Sequence, residues 1–180
     1  MHEDELERQQ RLYWNKMLDL RTAADYIRLY RDYAGQWVTG IATMRAIASS
    51  TSIAGWAIWH QYAFVWACII AVSQVVDALK DVFPMTKRQR AASEYAIALE
   101  TLFIDAQLEW EGILSRRYTA DEVMERLHAL RSAHHMAETK SFGEGPPRRK
   151  RLFLEAEREA ATFFRQQYGV ESGVKGRLDG

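Results

Sequence analysis

The chain has 180 residues, 48% of them hydrophobic and 27% charged, and its 24 basic side chains cancel its 24 acidic ones. That length fits one domain with appendages, the hydrophobic share excludes a wholly disordered polymer, and the balanced charge gives no lead toward nucleic acid. A single cysteine excludes a disulfide framework or a cysteine-based zinc knuckle, and three prolines with ten glycines argue against a loop-rich all-β fold.

From residue 4 to residue 36 apolar side chains recur at Leu6, Tyr13, Met17, Leu20, Ala24, Ile27, Tyr30 and Ala34, and the pattern reaches Trp37. After Leu6 the steps are three or four residues, the spacing of one face of an α-helix. Residues 1–36 are therefore expected to form an amphipathic helix. The first thirty residues are rich in charge and hold no apolar core, so no secretory signal peptide is expected.

A gap in charge follows. No Asp, Glu, Lys or Arg occurs from Ala46 to Val76, and between residues 38 and 79 only Arg45 and Asp77 are charged. Soluble helices normally keep a charged face. The most polar point of the gap is Trp59-His60-Gln61-Tyr62. Residues 37–84 read as two helices meeting there in a tight turn, Trp37–Trp59 and Tyr62–Phe83, the second stopped by Pro84. Each is about 33 Å long, close to a bilayer core of about 30 Å. Trp56, Trp59, Tyr62 and Trp66 cluster at the turn as an interfacial aromatic belt would. Arg28 and Arg31 precede the hairpin, and Lys87, Arg88 and Arg90 follow it, while the turn carries no Lys or Arg. The positive-inside rule then places both termini in the cytoplasm. Cys68 falls mid-span and reads as packing, because apolar surroundings disfavour a thiolate.

Small and polar uncharged residues (Ser49, Ser52, Gly55, Ser73 and Gln74) suit either close helix packing or a pore lining. Arg45 and Asp77 each lie 16 positions from Gln61. Equal distance from the turn means equal depth, about 24 Å from it, so the two are expected to form an ion pair at the membrane edge.

Beyond Pro84 the chain returns to amphipathic helices through residue 168. The first spans Lys87–Arg116, with Tyr95, Leu99, Leu102, Ala106, Trp110 and Ile113 on one face. Thr119-x-x-Glu122 reads as a capping box opening a second, which runs to Lys140 with Val123, Leu127 and Leu130 inward. Ser141 to Pro147 is a loop. The last helix spans Arg148–Tyr168 with Phe153, Ala156, Ala160 and Phe163 on one side, and residues 169–180 form a glycine-rich tail. The fold class is all-α: a two-helix transmembrane hairpin with a long N-terminal helix and C-terminal cytoplasmic amphipathic helices.

Catalytic motifs are lacking, and no cofactor is implied. Glu125-x-x-His128 has the spacing of half a di-iron site, whose partner pair is missing, and His134 and His135 read as surface histidines. Arg148, Arg149, Lys150 and Arg151 put four cations at the positive end of a helix dipole. Lipid headgroups, a phosphorylated ligand or an acidic protein patch would each relieve that arrangement, with a solvated run as the plain alternative and Glu155, Glu157 and Glu159 as partial neutralisers. No aromatic residues interleave with these cations, so nucleic acid is not the favoured partner.

The stretches Ser49-Ser-Thr-Ser-Ile-Ala-Gly-Trp-Ala-Ile-Trp59 and Trp66-Ala-Cys-Ile-Ile-Ala-Val-Ser-Gln-Val-Val76, preceded by a helix carrying Tyr13-Trp14, Tyr26, Tyr30 and Tyr33, resemble the SLATT class of bacterial two-transmembrane proteins. The resemblance covers about residues 10–85 and lies in the pattern and order of parts. It implies a non-enzymatic effector of the bacterial inner membrane, homo-oligomerising to permeabilise or depolarise the bilayer in phage defence or conflict, triggered by a sensor or signal-producing protein encoded nearby. The alternative from the residues alone is a soluble or peripheral helical-bundle interaction or regulatory module with a buried apolar hairpin.

Overall fold

A computed structural model describes residues 2–51, 64, 68, 71, 74, 85–143 and 145–169. Four helices have defined bounds: α1 (His2–Thr51), α2 (Met85–Leu114), α3 (Ala120–Phe142) and α4 (Lys150–Tyr168). Phe64, Cys68, Ala71 and Gln74 are helical as well, and no strand occurs among the described residues. The protein is all-α. The chain divides into two compact units, residues 1–30 with 91–180, and residues 31–90.

In the first unit the side-chain pairings fix the topology. Residues 13 and 10 of α1 meet residues 106 and 113 of α2, so these helices are antiparallel. Lys16 of α1 and Tyr95 of α2 both reach His134 of α3, and Tyr95 also packs on Phe142. Along α4, Tyr168, Phe163 and Glu159 meet Trp14, Arg21 and Arg28 in turn. The result is an up-down-up-down four-helix bundle.

The expected stripes supply its core. Tyr13, Met17, Leu20, Ala24, Ile27 and Tyr30 are buried with Tyr95, Leu99, Ala106, Trp110 and Ile113, and with Val123, Leu127 and Leu130 of α3. Leu102 is only partly covered, while Phe103 beside it is buried. At 100° per residue, that shift turns α2 toward Phe163 and Phe164 of α4. The capping box forms as expected. Thr119 N–H donates to Glu122 Oε2 at 2.8 Å, and Glu122 N–H donates to Thr119 Oγ1 at 3.4 Å. Such a cap contributes about 1 kcal/mol.

Several expectations need correction. Helix α2 spans Met85–Leu114, not Lys87–Arg116. Helix α4 starts at Lys150, because the loop before it is tied to α1 through Tyr26. The buried face of α4 is Ala156, Ala160 and Phe164, a strict i, i+4, i+8 line. Phe153 is exposed, packing edge-on against Tyr26, and Phe163 is half-covered beneath the Arg21 guanidinium, 4.4 Å from its ring centre. His134 is half-buried between three helices rather than at the surface.

In the second unit, α1 continues unbroken from Arg31 to Thr51, as its uninterrupted sequence implied. Gly35 faces the Gln89 side chain, which lies 3.1 Å from where a β-carbon would stand. No helix among the described residues is long and apolar enough to cross a membrane. Most of the expected hairpin, including its turn at His60 and Gln61, lies outside the described residues.

Candidate functional site

The residues expected at the membrane fall mainly outside the described part of the chain: Ser52, Gly55, Trp56, Trp59, Tyr62, Trp66, Ser73 and Asp77. The side chains of Arg45 and Ser49 are likewise outside it, although both residues belong to α1. The proposed Arg45–Asp77 pair is therefore not brought into view. Gln74 is described, helical and exposed. Phe64, Cys68 and Ala71 are likewise helical and exposed. Cys68, expected to pack, is exposed with them.

The same openness begins within α1. Ala34 is the last buried residue of that helix among those described. From Gly35 to Gln74 no described side chain is buried, although the sequence there becomes more apolar. Trp37 is 51% exposed, and Phe64 is 80% exposed.

The bundle, by contrast, concentrates polar groups between its helices. Asp25 is 3% exposed and is held by Arg21 at 3.0 Å and Arg28 at 3.5 Å, while Arg28 also reaches Glu159 of α4 at 2.5 Å. Burial pushes the Asp25 carboxyl above its usual range, outweighing the pull of the two guanidiniums. At the next position, the Tyr26 hydroxyl donates to the Pro147 carbonyl and accepts the Arg149 N–H at 3.0 Å, clasping the loop before α4 to α1.

His134 is the centre of the second polar group. Its Nδ1 lies 2.6 Å from Lys16 Nζ, and its Nε2 lies 2.9 Å from the Tyr95 hydroxyl. Burial first, and then the Lys16 charge, hold the imidazole down to about 4. Burial also lowers the Lys16 ammonium and raises the Tyr95 phenol. The ring is thus neutral near pH 7, with Nδ1 accepting from Lys16 and Nε2–H facing the Tyr95 oxygen. Among the described residues no carboxylate is hydrogen-bonded to His134, and the group ties α1, α2 and α3 together.

A surface hollow of 410 Å³ is lined by Glu7, Gln10, Arg11, Trp14, Asn15 and Trp110. The indoles of Trp14 and Trp110 lie 5.1 Å apart, and the buried Nε1 of Trp110 has no protein partner. Among the described residues no group of three His, Cys, Asp or Glu side chains converges as metal ligands would. Glu125 and His128 are both exposed. Arg148, Arg149, Lys150 and Arg151 are exposed at the start of α4, whose first turn has no acidic residue and whose N-cap, Arg149, makes no side-chain cap.

No protein-family model, no curated protein and no solved structure matches this chain.

Proposed function

We propose that the chain is a non-enzymatic effector of the bacterial inner membrane, whose residues 37–84 form a two-helix hairpin and whose four-helix bundle governs assembly on the cytoplasmic side. One observation carries this reading: from Gly35 to Gln74 no described side chain is buried, although residues 46–76 hold no charge. An apolar hairpin serving as the core of a soluble bundle would be covered by its own chain. One facing lipid, or copies of itself, would not. The charge asymmetry supports cytoplasmic termini. The resemblance to the SLATT class supports oligomerisation and permeabilisation as the action, in a defence or conflict setting with a signal supplied by another protein.

In this reading Ser49, Ser52, Gly55, Ser73 and Gln74 let copies approach or line a path, and Arg45 pairs with Asp77 at the cytoplasmic edge. Overproduction in a bacterium should collapse the membrane potential, followed with a potential-sensitive dye. Gly55→Leu and Ser52→Leu should weaken the collapse by keeping helices apart. Asp77→Ala should lower stability by about 1–3 kcal/mol, and the exchange Arg45→Asp with Asp77→Arg should recover part of the loss. Vesicles that stay sealed around incorporated protein, together with cells that hold their potential, would sink the permeabilising role. Recovery in the soluble fraction without detergent would favour the interaction-module alternative.

A further inference from the structure

Helix α2 is apolar on two sides. Its inner face is buried in the bundle, yet Ile97, Ile104 and Leu108 on the outer side are 66%, 64% and 71% exposed. With Thr101 they follow i, i+4, i+7 and i+11, a continuous stripe about 17 Å long. The Thr101 hydroxyl donates to the Ile97 carbonyl at 3.0 Å, so its polar atom is satisfied within the helix. No described residue of the bundle buries this stripe: α4 meets α2 through Phe103 and Gln107, on another side of the helix.

The stripe has a sign. Between Ala91 and Leu114 the sequence holds Glu94, Glu100, Asp105, Glu109 and Glu111 and no Lys or Arg. Glu109 is engaged by the Tyr13 hydroxyl at 2.8 Å, while Glu100, Asp105 and Glu111 are exposed along the borders of the stripe. Two such faces brought together would oppose like charges, and an anionic lipid surface would repel them. The occupant must therefore bring cations and some apolar surface. The start of α4 has both, in the exposed Arg148, Lys150 and Arg151 with Phe153 one turn on. That segment carries its charge at the positive end of its own helix dipole, where an acidic neighbour is favourable.

We infer that the outer face of α2 docks the basic start of α4 from a second copy of this chain. Two different surfaces meet, so the contact either closes reciprocally in a two-fold dimer or runs head-to-tail into a ring or an open array. The inference rests on the self-association in the proposed function but does not require the hairpin to cross a bilayer.

The test uses the full chain in detergent, with assembly measured by analytical ultracentrifugation and helicity by circular dichroism. Glu100→Lys with Glu111→Lys, and separately Arg148→Glu with Arg151→Glu, should each raise the apparent Kd about tenfold or more at unchanged helicity. Carrying all four changes in one chain should restore assembly, and so should mixing the two half-reversed chains. Added salt should weaken the wild-type contact. In a Cys68→Ser background, chains carrying Ile104→Cys should cross-link to chains carrying Arg151→Cys. A monomeric wild type, half-reversed chains that assemble normally, a four-fold reversal no better than either half, or no cross-link between copies would overturn the interface. Vesicle leakage reads the other claim separately. Sealed vesicles with the charge coupling intact reject the permeabilising role alone, and leaking vesicles without the coupling reject this interface alone.

Discussion

Helix α1 is one continuous helix with two characters. From Tyr13 to Ala34 it buries a residue at nearly every turn and carries charge on its other sides. From Gly35 onward it becomes more apolar and buries nothing among its described residues. Hydrophobicity and burial therefore run in opposite directions along the same helix. In the first stretch a modest apolar stripe is enough, because three other helices close over it. In the second stretch the described side chains are at most half-buried, the condition under which the proposed function has lipid or further copies cover them. Composition alone would have ranked the second stretch as the better core.

Substitutions that separate the two stretches should have very unequal effects. Phe164→Ala, at a fully buried ring packed against Trp14 and Phe103, should lower bundle stability by about 3–5 kcal/mol in denaturant titrations. Trp37→Ala removes a side chain of similar bulk where half of it is already exposed. It should change stability by about 0.5 kcal/mol or less while reducing membrane association. Comparable losses at both positions would erase the contrast.

The His134 tie sharpens it through pH. The imidazole is held down to about 4 against an ordinary value of 6.5, so the unfolded chain binds the extra proton first as acid is added. Stability should then fall as pH drops from about 6.5 toward 4, by on the order of 3 kcal/mol, and no further from this group below that. Asp25 acts in the opposite sense: its raised carboxyl favours the folded state on protonation and offsets part of the fall near its own titration. His134→Gln, which keeps an acceptor for Lys16, should flatten the dependence between pH 6.5 and 4. An unchanged slope would mean that the acid sensitivity arises elsewhere.

Asp25→Ala should cost about 1–3 kcal/mol, because it strands Arg21 beside a buried gap, while the partial exposure of Arg21 and the remaining Glu159 partner of Arg28 keep the loss below that of a fully buried pair. A smaller effect within the bundle lies at Gly112, where an added β-carbon would stand 2.6 Å from the Tyr118 ring, which is itself covered by Arg126 at 3.7 Å. Gly112→Ala should destabilise by about 1 kcal/mol, and in a Tyr118→Ala background the same change should become neutral or stabilising, as alanine normally is within a helix. A Gly112→Ala effect that ignores Tyr118 would refute the steric reading.

Much of the bundle was legible in the sequence because one helical face against one neighbour produces a clean period. The stripes of α1 and α3 and the Thr119–Glu122 box needed nothing more. What escaped depends on a second neighbour. Asp25 lies beside the stripe of α1 and is buried only because α4 closes over it, and the available signal was Arg21 and Arg28 at four before and three after it. His134 looked like one of two surface histidines, yet it turns inward where Lys16 and Tyr95 converge, a meeting of three helices that no single-helix pattern reports. On α4 the sequence reading placed Phe163 on the inner side, whereas extending Ala156 and Ala160 by four gives Phe164, the ring that is buried. The outer stripe of α2 went unread because the inner stripe already explained that helix.

Topology is the most direct test of the proposal that residues 37–84 enter a bilayer. In a Cys68→Ser background, Gln61→Cys at the expected turn and Ser132→Cys on the exposed side of α3 are compared in intact bacterial cells with a membrane-impermeant thiol reagent. Gln61→Cys should label from the periplasm, and Ser132→Cys only after the inner membrane is permeabilised. Equal labelling at both positions, or a chain that stays in the soluble fraction without detergent, would contradict it.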